Sequence, residues 1–274
     1  MEAGKALTSI FMFATFILFP YTSSFAEIKK GVASKLSVDA GLEQLNYKEH
    51  EPDTGFDSNA KAINWIIGIE GLKRWEYIFV GIKAVIPVIE GEDKEEWRRF
   101  GSLYQTNTLK YKWMRADGYL GYPLAYWLNP YGGLRWSEAI QNRYDFVVRG
   151  ISAAGTAKEE IRSWSLLVGI RGNGEITSRW EWYYWLEYFY PIDIEVTNSM
   201  LPGYKSTDKE GYALELRVGA GYYFTDALFF GIQIYGGRMH WEGSDWNPHG
   251  ASLVKWPEND TDYLGGILKA SWRF

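Results

Sequence analysis

Cysteine is absent from this 274-residue chain. That excludes thiol catalysis, cysteine metal sites, disulfide staples and a lipid-anchored N-terminal cysteine. Histidine is scarce, with three residues in all: His50, His240 and His249. An excess of basic residues is also missing. The formal charge is −5, which argues against nucleic acid as a partner. Beyond the first two dozen residues no long run is continuously apolar, so no spanning helix is expected there. No G-x-S-x-G serine elbow and no H-E-x-x-H zinc motif occurs.

What the chain does have is aromatic residues: 14 Trp, 20 Tyr and 14 Phe. A disordered chain could not bury so many. The N-terminal segment reads as a secretory signal. Lys5 opens it, 10–19 is rich in large apolar residues, and Ser24-Phe25-Ala26 places small residues three and one before a cut after Ala26. Its apolar stretch is too short to span a bilayer as a helix. A cleaved signal over 1–26 is expected, leaving 27–274 as one domain.

Within 27–274 the apolar residues alternate, and a period of two means strands. At the C-terminal end Leu264, Gly266, Leu268, Ala270, Trp272 and Phe274 share one face, opposite Lys269 and Arg273. In 76–88 Ile78, Val80, Ile82, Ala84, Ile86 and Val88 oppose Gly81 and Lys83. Similar segments fall at 35–47, 62–71, 177–190 and 211–224, with weaker ones at 106–120, 130–141, 160–171 and 228–241. That makes ten candidate strands. Short links near 72–75, 122–128, 172–175 and 224–227 alternate with long polar ones near 48–60, 90–104, 142–159, 191–210 and 242–261. Gly172-Asn173-Gly174 reads as a hairpin turn.

This is the pattern of an all-β, closed, antiparallel, up-and-down transmembrane β-barrel of about ten strands. A soluble sandwich could not bury so many uniformly apolar faces, and an open sheet in lipid would leave unpaired backbone groups. Trp and Tyr near strand ends (Trp75, Tyr77, Tyr126, Trp127, Trp241, Tyr263, Trp272) suit a bilayer interface.

The polar phase of each strand then faces the lumen. Its anions are Asp39, Glu43, Glu70, Glu181, Glu187 and Glu215. Its cations are Lys83, Lys110, Lys112, Arg135, Arg179, Arg217, Lys269 and Arg273. Ten strands enclose a narrow bore, so charges of both signs should pair across it and fill it. The expectation is a structural ion-pair plug rather than an open pore.

Chemistry is harder to find. Carboxylates lie near His50 (Glu49, Glu51 and Asp53) and near His240 (Glu242 and Asp245), where acid–base chemistry or a metal could be assembled; His240, Glu242 and Asp245 form the candidate rim site. A D-x-D occurs at Asp260-Thr261-Asp262. The acidic run 90–96 reads as a solvated loop, with Trp97, Arg98, Arg99 and Phe100 as a patch for lipid phosphates or a partner. No catalytic residue, metal site or cofactor is assigned.

Taken together, the chain resembles the outer-membrane β-barrel proteins of diderm bacteria. The likeness rests on the signal segment, the alternating strands and the aromatic terminus. It implies residence among outer-membrane lipid. It also implies that Leu268, Ala270, Trp272 and Phe274 form the signal read by the barrel-assembly machinery. Ten strands is also the number in the omptin proteases, which pair aspartates on one wall with an Asp-x-His on the other. Here Arg238 stands two before His240 and Asn247 two before His249, so that motif is missing. The expected role is a small, non-enzymatic outer-membrane barrel that is structural or binds an unknown surface ligand through its outer loops. The alternatives are an outer-membrane enzyme with a rim site near His240, or a narrow solute channel.

Overall fold

The computed structural model describes residues 33–206, 210–250 and 252–274. The expected signal segment lies outside the described residues. Ten strands form the wall: β1 (Ala33–Glu51), β2 (Phe56–Arg74), β3 (two segments, Phe79–Ile89 and Gly91–Arg99), β4 (Ser102–Gly121), β5 (Asn129–Val148), β6 (Ala157–Glu175), β7 (Trp180–Asn198), β8 (Gly211–Tyr223), β9 (Leu228–Trp241) and β10 (Glu258–Arg273). Each pairs antiparallel with the next. The last returns to the first, in register from Lys35↔Arg273 to His50↔Glu258. The sheet is therefore a closed up-and-down barrel with no free edge.

Alternation decides which side of the wall each residue faces. In β2, Ala62, Asn64, Ile66 and Glu70 are buried within, while Ile63, Trp65, Ile67 and Ile69 are exposed on the outside. The outward apolar residues line up across strands. Val38 lies between Ile69 and Ala270, and Ile232 between Leu268 and Ala220. Ile82 at 67%, Leu268 at 68% and Ile232 at 63% are among the most exposed aliphatic side chains. Each such side chain gains about 1.5–3 kcal/mol on leaving water. A continuous belt of them is stable against hydrocarbon.

The strands are taller than a bilayer. Crossing takes about 9–11 residues, whereas β2 has 19 and β4 has 20. Above the belt the outward positions are charged and pair across strands: Arg162 with Glu138 at 2.6 Å, Lys112 with Glu90 at 2.7 Å, and Arg238 with Asp262 at 2.7 Å. This corrects the expected long loops at 48–60 and 90–104. Only 52–55, 90 and 100–101 leave the strands there. Both faces are polar at that height, so hydropathy stops alternating while strand pairing continues. Phe100 and Gly101, with φ of 48° and 80°, close a tight two-residue turn of the hairpin type. Gly172-Asn173-Gly174 is likewise strand rather than turn. The reversal falls at 176–179, where the Thr177 hydroxyl accepts the Arg179 and Trp180 amides.

Two inward glycines make room for rings that lie flat on the wall. A Cβ on Gly81 would sit 2.2 Å from the Tyr119 ring, and one on Gly265 would sit 2.2 Å from the Tyr235 ring. Gly266 faces open space.

Candidate functional site

The bore is crossed by charge clusters stacked from the short-turn end upward. In the lowest, Glu70 on β2 accepts Lys269 of β10 at 3.0 Å, Arg171 of β6 at 3.2 Å and the Tyr119 hydroxyl of β4 at 2.8 Å. Asp39 adds to Lys269 at 3.7 Å. Strands β2 and β6 stand on opposite walls, so this contact spans the lumen. In the next, Arg135 of β5 is bidentate on Asp117 of β4 at 2.6 and 2.8 Å. Lys83 joins Asp117 at 3.3 Å and Glu187 at 3.7 Å, and Arg217 binds Glu215 and Glu187. Beside these, Glu43 of β1 takes both arms of Arg115 of β4 at 2.6 and 3.2 Å and the Tyr235 hydroxyl at 2.7 Å. The two charged side chains are 0% and 1% exposed.

The outermost cluster gathers three carboxylates around one guanidinium. Arg143 of β5 meets Glu95 at 2.7 Å, Glu159 at 2.8 Å and Glu49 at 3.0 Å. Tyr47 donates to Glu49 from below. The chain between β9 and β10 buries Trp256. It is fastened to the 52–55 turn by Lys255, 3.1 Å from Glu51 and 2.8 Å from Asp53, and by the Trp246 indole on Asp53 at 3.3 Å. The hydrogen bond from Lys255, and then that from Trp246, hold the Asp53 carboxyl below its ordinary pKa. The same hydrogen bond to Asp53 raises the Lys255 ammonium above its own.

Of the residues expected in the lumen, Asp39, Glu43, Glu70, Lys83, Arg135, Glu187, Glu215, Arg217 and Lys269 take part in these clusters. Glu181 is buried near the short turns, where it accepts the Tyr126 and Tyr223 hydroxyls at 3.3 and 3.2 Å. Four residues sit elsewhere. Lys110 and Lys112 lie on the outside of β4, paired with Glu92 at 3.4 Å and Glu90 at 2.7 Å. The phase was inverted because the inward positions of β4, Leu109, Tyr111 and Trp113, carry the side chains usually expected against lipid. Arg179 is exposed in the 176–179 turn and bonds Tyr222 at 3.1 Å. Arg273 is exposed at the end of β10 and donates to Tyr223 at 2.6 Å. Both lie past the last inward position, where alternation no longer assigns a side. Trp241 and Tyr263, expected at the interface, are buried inside.

Several members of the clusters escaped the sequence reading: Arg115 and Asp117 with the inverted phase of β4, then Arg143, Arg171, Glu49, Glu95 and Glu159. The run Arg135, Ser137, Ala139, Gln141, Arg143 continues one inward phase, and extending it past 141 would have found Arg143. Glu95 belongs to the run expected as a solvated loop, yet it is fully buried and accepts Asn107 at 2.7 Å.

The expected rim site is rearranged. His240 points outward from β9, and the acids beside it are Asp260 at 3.0 Å and Glu258 at 3.9 Å, both on β10. Glu242 and Asp245 do not join them. They are exposed where the chain leaves the strand into the loop, and Glu242 is held by its amide on the Glu210 carbonyl at 2.9 Å. Register, not nearness in sequence, sets side-chain neighbours across a sheet. The terminal Leu268, Trp272 and Phe274 face outward and are exposed, and Ala270 lies between them, partly covered.

No family model matches this chain, and no curated protein matches it. Solved structures do. The outer membrane protease OmpT of Escherichia coli superimposes with a TM-score of 0.67 at 12% identity, over 92% of this chain and 98% of that one. This chain has the fold of the bacterial outer-membrane β-barrels. The transport unit of the autotransporter AIDA-I of Escherichia coli (TM-score 0.42, 10% identity, 93% of this chain and 94% of that one) matches more loosely. So does OprG of Pseudomonas aeruginosa (0.37, 10%, 90% and 99%). At 12% identity the likeness to OmpT speaks to fold alone.

Proposed function

We propose that this chain is an exported, non-conducting barrel of a bacterial outer membrane that acts through the wall and loops it raises above the lipid. The observation that carries this reading is the set of ion pairs reaching from wall to wall, Glu70 to Arg171 and Glu43 to Arg115, with almost fully buried side chains. A ten-stranded bore is narrow, and porins with aqueous channels have about 16–18 strands. The test is electrical. Purified protein in planar bilayers gives no steady conductance, whereas stable, voltage-independent currents would overturn the reading.

A role in surface interaction, with no enzymatic step, follows from what lies beyond the apolar belt. Phe100, at 77% exposure, and Ile151, at 74%, project apolar surface among Arg99, Leu103 and Arg149 at the outer tips. Exposed apolar groups ringed by polar ones mark contact surfaces. Replacing Phe100 and Ile151 by serine leaves folding intact and lowers adhesion of the purified protein to its surface ligand. OmpT is a protease by name, and this reading does not take that activity from it. Export by the 1–26 signal, and reading of Leu268, Ala270, Trp272 and Phe274 by the barrel-assembly machinery, belong to the same proposal. Deleting Phe274 should slow assembly in cells while sparing refolding in detergent.

A further inference from the structure

Two of the three histidines, His50 and His240, stand on one patch of the outer wall. Four strands contribute to it: β2, β1, β10 and β9, on both sides of the seam where the last strand joins the first. Reading across, Asp57 bonds His50 Nδ1 at 2.5 Å, His50 lies opposite Glu258 in register, and Asp260 lies opposite His240. We propose that this patch binds a divalent transition-metal ion of the zinc class through His240, Asp260 and Glu258, with water completing its coordination.

The donor geometry fits. His240 Nδ1 stands 3.0 Å from Asp260 Oδ1 and 3.9 Å from Glu258 Oε1, and the three donor atoms lie within 4.8 Å of one another. A tetrahedral ion with bonds of about 2.0–2.2 Å needs donors roughly 3.3–3.6 Å apart. Those distances bracket that separation, so small side-chain rotations suffice. His240 is also held as a ligand would be. Its ring rests against Tyr212, with centroids 5.3 Å apart, and aims Nδ1 at the acids. His50, whose Nδ1 is engaged by Asp57, borders the groove beside those acids.

The ligand set selects the ion. Imidazole with carboxylate suits zinc, copper or nickel, whereas magnesium and calcium favour oxygen alone. A groove of about 270 Å³, lined by His50, Asp57, Glu258 and Asp260 together with Lys48 and Asn59, lies open beside the acids and admits the hydrated ion. Bound there, the ion ties β9 to β10 above the membrane, beside the closing seam.

The test uses tag-free, refolded full-length barrel in detergent, titrated with Zn²⁺ alone and followed by NMR of the histidine rings. The chain's three histidines provide their own control. The expected result is saturation at one equivalent, with the His240 signal shifted and His249 unmoved. His240→Ala and Asp260→Asn weaken binding at least tenfold, and Co²⁺ in place of Zn²⁺ gives the visible absorption of tetrahedral ligation. The proposal is overturned if wild-type protein shows no saturable site, if His249 shifts along with His240, or if affinity survives both substitutions. Should a variant fail to fold, the wild-type histidine spectrum still decides.

Discussion

The Arg115–Glu43 pair tests whether the bore is dry. Arg115→Met removes the guanidinium and keeps most of the side-chain length. Glu43, fully buried, is then left with the Tyr235 hydroxyl at 2.7 Å as its remaining hydrogen-bond donor of this cluster. Breaking a buried pair in this way costs about 3–5 kcal/mol, because a charge is stranded without a counterion. The same pair in a water-filled pore would be worth about 0–1 kcal/mol. The two cases differ by roughly two to three orders of magnitude in the unfolding equilibrium. The second substitution, Glu43→Gln, decides the cause. In a dry bore Arg115→Met/Glu43→Gln recovers most of the loss, giving a coupling energy above about 2 kcal/mol. Equilibrium urea unfolding of the refolded barrel in lipid vesicles, read by tryptophan fluorescence, measures all four corners of the cycle. A single-variant cost below about 1 kcal/mol with no coupling would refute the dry bore, and the non-conducting reading would fall with it.

Three further outcomes follow from the same geometry. Gly81→Ala drives a methyl against the Tyr119 ring and displaces its hydroxyl from Glu70, so urea unfolding should show a loss of about 1–3 kcal/mol; a neutral result would mean that the ring moves aside freely. Ile82→Lys, on the outer face of the belt, should cost about 2–4 kcal/mol in vesicles, while Lys61→Ile, high on the same wall, should cost far less. The loop clamp has a signed pH dependence. The lowered pKa of Asp53 means that its contribution is present above the ordinary carboxylate range and is lost only as pH falls through a lower value. The raised pKa of Lys255 means that its contribution is lost only as pH rises past the ordinary lysine range. Proteolytic nicking of the 242–257 loop should therefore stay flat between about pH 5 and 8; a transition inside that window counts against the clamp.

The wall was legible in the sequence where one of its faces meets lipid. Ile63, Trp65, Ile67 and Ile69 against Asn64 and Glu70 declare both the strand and its orientation. Above the membrane that contrast is gone. Asn59 and Lys61 outside face the same polar surroundings as Ser58 inside, so the upper ends of β1 and β2 and the second segment of β3 read as loops. Strand β4 misled in a different way. Its lumen face carries Leu109, Tyr111 and Trp113, and the reading that apolar means outward put Lys110 and Lys112 inside. The rim acids were misplaced because Asp260 and Glu258 reach His240 through register, a relation between β9 and β10 that no spacing along the chain encodes.

The aromatics inside the barrel explain how so many charges tolerate burial. An isolated guanidinium in a narrow apolar bore would be costly. Here each lies against a ring face as well as a carboxylate. Arg135 sits 3.5 Å over Phe189, Arg115 sits 4.3 Å over Trp113, and Arg171 sits 5.0 Å over Trp185. Ring faces attract cations, and more strongly once water is excluded. Those rings also fill volume that water would otherwise occupy, which keeps the local dielectric low and the pairs strong. Aromatic filling and charge pairing are thus one arrangement. A bore lined by the same charges without Trp113, Phe189 and Trp185 would admit water and weaken its own ion pairs. The abundance of aromatic residues that first suggested interfacial belts is therefore divided between the lipid side, at Trp65, Trp164 and Trp272, and the interior of the barrel.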